Sequence, residues 1–488
     1  MTRFACMIAA LAFTMSPVLA GLDDVKVATD TSIDCSSVQT IARDLYKNCK
    51  TDEEKAIATW YFVRRVEFHW PNIPTWDTVE LINSYGFGLC GYQSTAYVQI
   101  ATAGGLKART CHLPSHVIAE AFYDDAWHMF DCQVGWYACN RKGKVASCEE
   151  MKADPTLVTD AIKENRASKP YFQCRDNPGA GTNYAAQAKP GGTPQPPQNR
   201  LVIKLRRGES ITRVWGNENK PWFSEKGNDG KPNTTFMEPR HSCTGKGIDD
   251  NDPVNWPFWR LYANPNGAPY KRYYGNGRLV YAPDLSSADC LGDLPKSALV
   301  NLKPGAGLVA GEKEASITIP IDSPYIITDA WLDLAGVKAD DATLTVSAKS
   351  EKGEWKELYK AEKAGQVKVE SLSLKDAAFR GKKYEVKVAM QSAKAGDVTL
   401  GKLSLTTVFI NNMYALPYLT PGKNSIKLTA ADGADIAKNK LTLDYAWEED
   451  GKEKTLSKTI DKLPFEASVE VGGKELPRMK SVRMAVAP

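Results

Sequence analysis

No cysteine lies beyond Cys290, so the C-terminal part of the chain has no covalent staple available and must hold its fold by burial alone. After Ala20 no stretch reaches the roughly 20 uninterrupted apolar residues that a membrane helix needs, which excludes a helical span there. Gly21 follows Ala20, so a lipid anchor has no cysteine to accept it. An excess of one charge is missing too: 62 Lys and Arg against 58 Asp and Glu leave a formal charge of +4, scattered along the chain. With no basic cluster and no interleaving of basic and aromatic residues, no nucleic-acid partner is expected.

What is present begins at the N-terminus, where Arg3 precedes an apolar run from Phe4 to Met15 and Val18-Leu19-Ala20 supplies small residues at cleavage-site spacing. That pattern predicts a signal peptide over residues 1–20, cut after Ala20, and a secreted or periplasmic protein. A length of 488 residues exceeds what one core serves and predicts about three or four domains. Of the 11 cysteines, Cys6 leaves with the signal. In an oxidising compartment most of the others are expected to pair, with Cys35 to Cys49, Cys139 to Cys148 and Cys243 to Cys290 as local candidates.

Helical periodicity runs from Thr51 to about Val66, where Ala56, Ile57, Trp60 and Val63 recur and Thr51 and Glu54 are spaced as a capping box. A second helix is predicted from Gly91 to about Ala103, stopped by Gly104-Gly105. The period then changes to that of strands over Lys107 to Cys111, His116 to Tyr123 and Ala126 to Asp131, with a turn at Asp124-Asp125. Residues 177–199, rich in Gly, Pro, Ala and Gln, predict a linker or long surface loop. Residues 200–295 read as an aromatic-rich β module. Alternating segments such as Ala315 to Ile321, Ala342 to Ala348, Tyr384 to Met390 and Leu403 to Phe409 predict a β-sandwich or jelly roll over 296–412. A small β unit is expected over 413–488.

Cys90 sits where the glycine-bearing loop Tyr85-Gly-Phe-Gly-Leu enters the second helix. A helix N-terminus favours thiolate over thiol and offers N–H groups to an oxyanion, while Gly88 and Gly91 leave room for a substrate backbone. A thiolate needs an oriented proton carrier. A two-residue turn at or beside Asp124-Asp125 puts His116 and Asp131 on one sheet face, opposite or one diagonal step apart.

In sequence order stand Gly88-Leu89-Cys90, Gly105-Leu106-Lys107-Ala108-Arg109, Ser115-His116-Val117 and Trp127-His128-Met129-Phe130-Asp131. This run, within residues Glu53 to Tyr137, resembles the transglutaminase-like superfamily. The resemblance implies an α+β, papain-like domain over 21–176. It also implies a triad in which Cys90 attacks a carboxamide or peptide carbonyl, His116 shuttles the proton and Asp131 orients His116. The family's Trp beside the histidine is replaced by Val117, and Trp60, Trp70 and Trp76 are all candidates for its upstream oxyanion-stabilising aromatic.

The fold expected is therefore multidomain, a transglutaminase-like domain followed by all-β modules, acting on peptide, protein or carboxamide substrates without cofactor or metal. Hydrolysis is favoured over amine transfer. Three other readings compete. The thiol fold could be inactive and the β modules a scaffold binding polysaccharide or protein. Carboxylates of the middle module, beside Trp215, Trp222, Phe223, Trp256, Phe258, Trp259, Tyr273 and Tyr274, could process glycans, though such aromatics more often form a core. Metal binding could use Cys111, His112 and His116, which lack a second ligand cluster, or Asp249-Asp250-Asn251-Asp252, which lacks the downstream glutamate of a calcium loop.

Overall fold

The capping box read at Thr51 and Glu54 forms, and the helix it opens spans Asp52–Val66. A like box at Ser37 and Thr40 starts the helix Val38–Tyr46. Such caps satisfy first-turn N–H groups and are worth about 1 kcal/mol each. The third helix, Cys90–Ala103, is buried along most of its length among Trp60, Ala108 and Ala121. These elements belong to the computed structural model of the protein, which describes residues 21–69, 72–114, 116–133, 135–161, 163–168, 185–222 and 274–488. The signal-peptide span, Cys243 and the acidic run at 249–252 lie outside the described residues.

Against the third helix lies a four-stranded antiparallel sheet, ordered Ala126–Phe130, His116–Tyr123, Lys107–Leu113, Lys189–Pro190. Asp124 and Asp125 both take the left-handed conformation, as a tight hairpin with right-handed twist requires. The register Ala119 to Phe130 and Glu120 to Met129 continues so that Asp131 falls opposite Ile118, one diagonal step from His116.

The part of the expected linker that is described is not a free tether. Gly191 donates to the Thr110 carbonyl at 2.8 Å, Thr110 donates to Gly192 at 2.9 Å, and the Thr193 hydroxyl donates to Ala108 at 2.9 Å. Gln99 reaches across to the Gln195 carbonyl at 2.8 Å. Proline at a sheet edge loses no ladder bond it needs, and at Gly191 a Cβ would come within 2.3 Å of Thr110 Oγ1, so only glycine lies this close. The run is a strap along the sheet edge.

The rest of the chain is mostly β. A five-stranded sheet, ordered Leu299–Val300, Lys313–Asp322, Lys383–Ser392, Thr343–Ser350, Lys356–Lys360, faces a ten-stranded one. Their inner residues, among them Ile317, Val388, Leu332 and Leu405, share one core, and the Tyr384 hydroxyl bonds Thr407 across it at 2.7 Å. The boundaries expected near 296 and 413 do not separate sheets. Within the ten-stranded sheet, Val398–Asn411 pairs with Gly275–Tyr281, that strand with Glu209–Val214, and that one with Arg478–Val486. Strands from three supposed modules are one ladder because each alone would leave an edge unpaired. Lys26–Thr29 likewise joins Gly422–Thr429, tying the N-terminal unit to the C-terminal strands.

Among the described residues no helix is long and apolar enough to cross a membrane. The expected bridges between Cys35 and Cys49 and between Cys139 and Cys148 are not formed: these four cysteines are all free. Proximity in sequence misled here, because Cys35 is buried ahead of its helix while Cys148 packs against a different strand.

Candidate active site

Cys90 is the first residue of its helix, after Leu89 in extended conformation at the cap. The N–H groups of Cys90 and Gly91 belong to the first turn, where no intrahelical acceptor exists, and no acidic residue stands in that turn to oppose the dipole. The half-buried Cys90 thiol lies close enough to His116 and the Val117 backbone for both to lower its pKa. His116 Nε2 and Asp131 Oδ2 are 2.8 Å apart, with the histidine side chain 14% exposed and the aspartate fully enclosed. The three predicted residues are thus brought together, Asp131 bonded to His116 and His116 acting on the Cys90 thiol.

Neighbouring contacts hold that line. The Ser94 hydroxyl, one turn along the helix from Cys90, donates to the Val117 carbonyl at 2.9 Å and so pins the Cys90 helix to the His116 strand. The Asp131 backbone closes a ring with Trp136, donating at 3.0 Å and accepting at 3.1 Å, and its carbonyl also accepts from Gly135 and from the Trp60 indole, both at 3.0 Å.

Electrostatics follow from this packing. Burial is the largest influence on the Cys90 thiol and pushes its pKa up, yet the hydrogen bond and positive charge of His116, with the Val117 backbone, outweigh it and leave the pKa lowered. For His116, burial opposes the charged form, but the charge and hydrogen bond of Asp131, then Cys90, raise its pKa to about 10. Both shifts favour thiolate beside imidazolium.

The glycines flanking Cys90 do not open empty space. A Cβ at Gly88 would meet Tyr92 at 3.0 Å and one at Gly91 would meet the Trp76 ring at 3.4 Å. Trp76, 60% exposed, stacks on Tyr92 with centroids 4.1 Å apart, and the Tyr92 hydroxyl is anchored on Asn72 and Ile73. Of the three tryptophans read as oxyanion candidates, Trp60 has committed its N–H to Asp131, Trp70 lies outside the described residues, and Trp76 forms this shelf. Ser94 and the shelf were not read from sequence. The i to i+4 spacing of Cys90 and Ser94 could have flagged the first, whereas the second depends on a loop no periodicity predicts.

The residues weighed for other chemistry fall elsewhere. His112 is exposed, and the cluster with metal-ligand spacing among the described residues joins Cys111 to Glu120 and Cys148 instead. The His128 ring nitrogens lie against the Val145 and Tyr123 carbonyls at 2.5 and 3.1 Å. In the middle segment, Trp215 and Tyr274 are buried, and Trp222 packs on Tyr85 and Phe87, beneath the loop that leads to Cys90. Phe223, Trp256, Phe258, Trp259 and Tyr273 lie outside the described residues.

No family model and no curated protein matches the chain. Among solved structures it is similar to the β-glucuronidase of Ruminococcus gnavus. In complex with D-glucaro-d-lactam the identity is 9% and the TM-score 0.15, over 33% of this chain and 30% of that one. In complex with uronic isofagomine they are 10% and 0.15, over 36% and 30%. The match takes in about a third of either protein, and a likeness this slight carries no inference about fold or activity.

Proposed function

We propose that the chain is an exported, transglutaminase-like cysteine enzyme that cleaves peptide or carboxamide bonds through a thioester on Cys90. The observation that carries this reading is the grouping of Cys90, at a helix start, with His116, whose Nε2 is 2.8 Å from the enclosed Asp131. The signal-like N-terminus supports the exported setting.

In the proposed cycle the Cys90 thiolate attacks the carbonyl carbon, and the oxygen takes up the negative charge before first-turn N–H groups. As the tetrahedral species collapses, the carbon–nitrogen bond breaks and His116 gives its proton to the departing amine. Water then attacks the thioester while His116 takes a proton from it, the carbon–sulfur bond breaks, and acid and thiolate are released. Asp131 keeps the imidazole in one tautomer and offsets its charge throughout.

Labelling and mutation test this together. Iodoacetamide should modify Cys90 in the folded, unreduced protein, and Cys90→Ala and His116→Ala should each lower turnover of a peptide or amide substrate by about a thousandfold or more. An unreactive Cys90, or activity that survives both substitutions, would sink the proposal.

A further inference from the structure

Cys111, on the strand next to the one carrying His116, and Cys148, at the start of the helix Cys148–Ala153, are both buried and lie in one apolar cluster with Ile118, Met129 and Met151. Both thiols are free in the structure, and their sulfurs lie within 4.8 Å of one another and of a Glu120 oxygen. We propose that Cys111 and Cys148 are joined by a disulfide in the exported protein.

The chemistry of the third member decides between a disulfide and a metal. Both Glu120 oxygens are already engaged: one by Arg109, at 2.9 Å from Nε and 2.8 Å from Nη2, the other by the Cys148 N–H at 3.0 Å. Tetrahedral zinc would need a fourth ligand, and it would have to sit beside the Arg109 guanidinium. Two buried sulfurs this close suit a covalent bond.

The bond forms by exchange during folding, before the cluster closes. One cysteine, as thiolate, attacks a small-molecule disulfide such as oxidised glutathione and releases one thiol. The second cysteine then attacks the mixed disulfide and releases the other. Two S–H bonds and the oxidant's S–S bond break, one S–S bond forms in the protein, and the oxidant leaves as two thiols. The product ties the strand beside His116 to the segment that follows the Asp131 turn, so it constrains the sheet from which both side chains project.

The test needs no turnover and no Cys90 chemistry, so it stands apart from the enzymatic proposal. The full chain, exported and purified without reductant, is alkylated in denaturant, digested and mapped by mass spectrometry, and its metal content is measured. The expected result is one linked pair of peptides containing Cys111 and Cys148, with a Tm that falls by about 4 °C or more on reduction. Reductant should leave the Tm of the Cys111→Ser, Cys148→Ser double variant unchanged. Alkylation of both cysteines in the wild-type protein, a Cys139 to Cys148 link, or one equivalent of zinc lost on Cys111→Ser would each overturn the proposal.

Discussion

The Trp60 indole donates to the backbone oxygen of Asp131 at 3.0 Å, so a helix remote in sequence fixes the end of the aspartate strand. The ring is 1% exposed, stands edge-on to Tyr137 and lies beneath the Arg64 guanidinium. Trp60→Phe removes the donor, but Gly135 and Trp136 still serve that carbonyl. The expected result is a stability loss of about 1–3 kcal/mol with kcat reduced less than tenfold, read by denaturant melts and steady-state kinetics.

Asp131→Asn keeps the shape of the side chain and removes its charge. The imidazole loses a large part of what favours its protonated form, so the thiolate fraction of Cys90 falls with it. Turnover should drop on the order of 10³ to 10⁴. The iodoacetamide labelling rate of Cys90 at neutral pH should fall in parallel, and unchanged labelling would show that Asp131 does not support the pair.

The pH profile of kcat/KM should be a bell belonging to the coupled pair rather than to either residue. Its acid limb lies where the lowered Cys90 thiol gains a proton, below the ordinary cysteine value, and its alkaline limb lies near 10, where His116 loses one. The sign for stability follows from the raised histidine. The contribution of protonated His116 is fully present below the unfolded value of about 6.5 and is lost as pH rises through about 10. Melts of wild type and His116→Ala across that window measure the difference.

Glu67 ends the helix Asp52–Val66 with a buried carboxyl whose two oxygens have no hydrogen-bond partner among the described residues. Burial raises its pKa well above the ordinary glutamate value, so folding favours the neutral acid. Between the unfolded value and that raised one the unfolded chain ionises first and stability declines as pH rises. Glu67→Gln should therefore be more stable than wild type above about pH 5 and show a flatter stability curve. Equal curves would mean that Glu67 ionises without penalty.

Local chemistry carried the site and not the body. Thr51 and Glu54 announced their helix, Asp124-Asp125 announced the hairpin, and parity across that turn put His116 and Asp131 on one face, because each depends on residues a few positions apart. The strands at Lys313–Asp322 and Lys383–Ser392 were legible from alternation. Their partners were not, since pairing Glu209–Val214 with Arg478–Val486 is decided by which unpaired edges meet, and alternation says nothing of that. Cysteine pairing failed for the same reason: Cys148 is nearer to Cys139 in sequence but packs with Cys111 through the sheet.

Asn412, enclosed beneath the loop that leads to Cys90, sends its amide to the carbonyls of Val66 and Ile82 at 2.8 and 2.7 Å, and its own backbone N–H bonds Asn83 at 2.8 Å. The last residue of one helix and the turn that leads to Cys90 are thus moored to a residue more than three hundred positions downstream. Severing the chain after the N-terminal unit would strand two carbonyls without their amide and loosen the loop that presents Cys90 to His116.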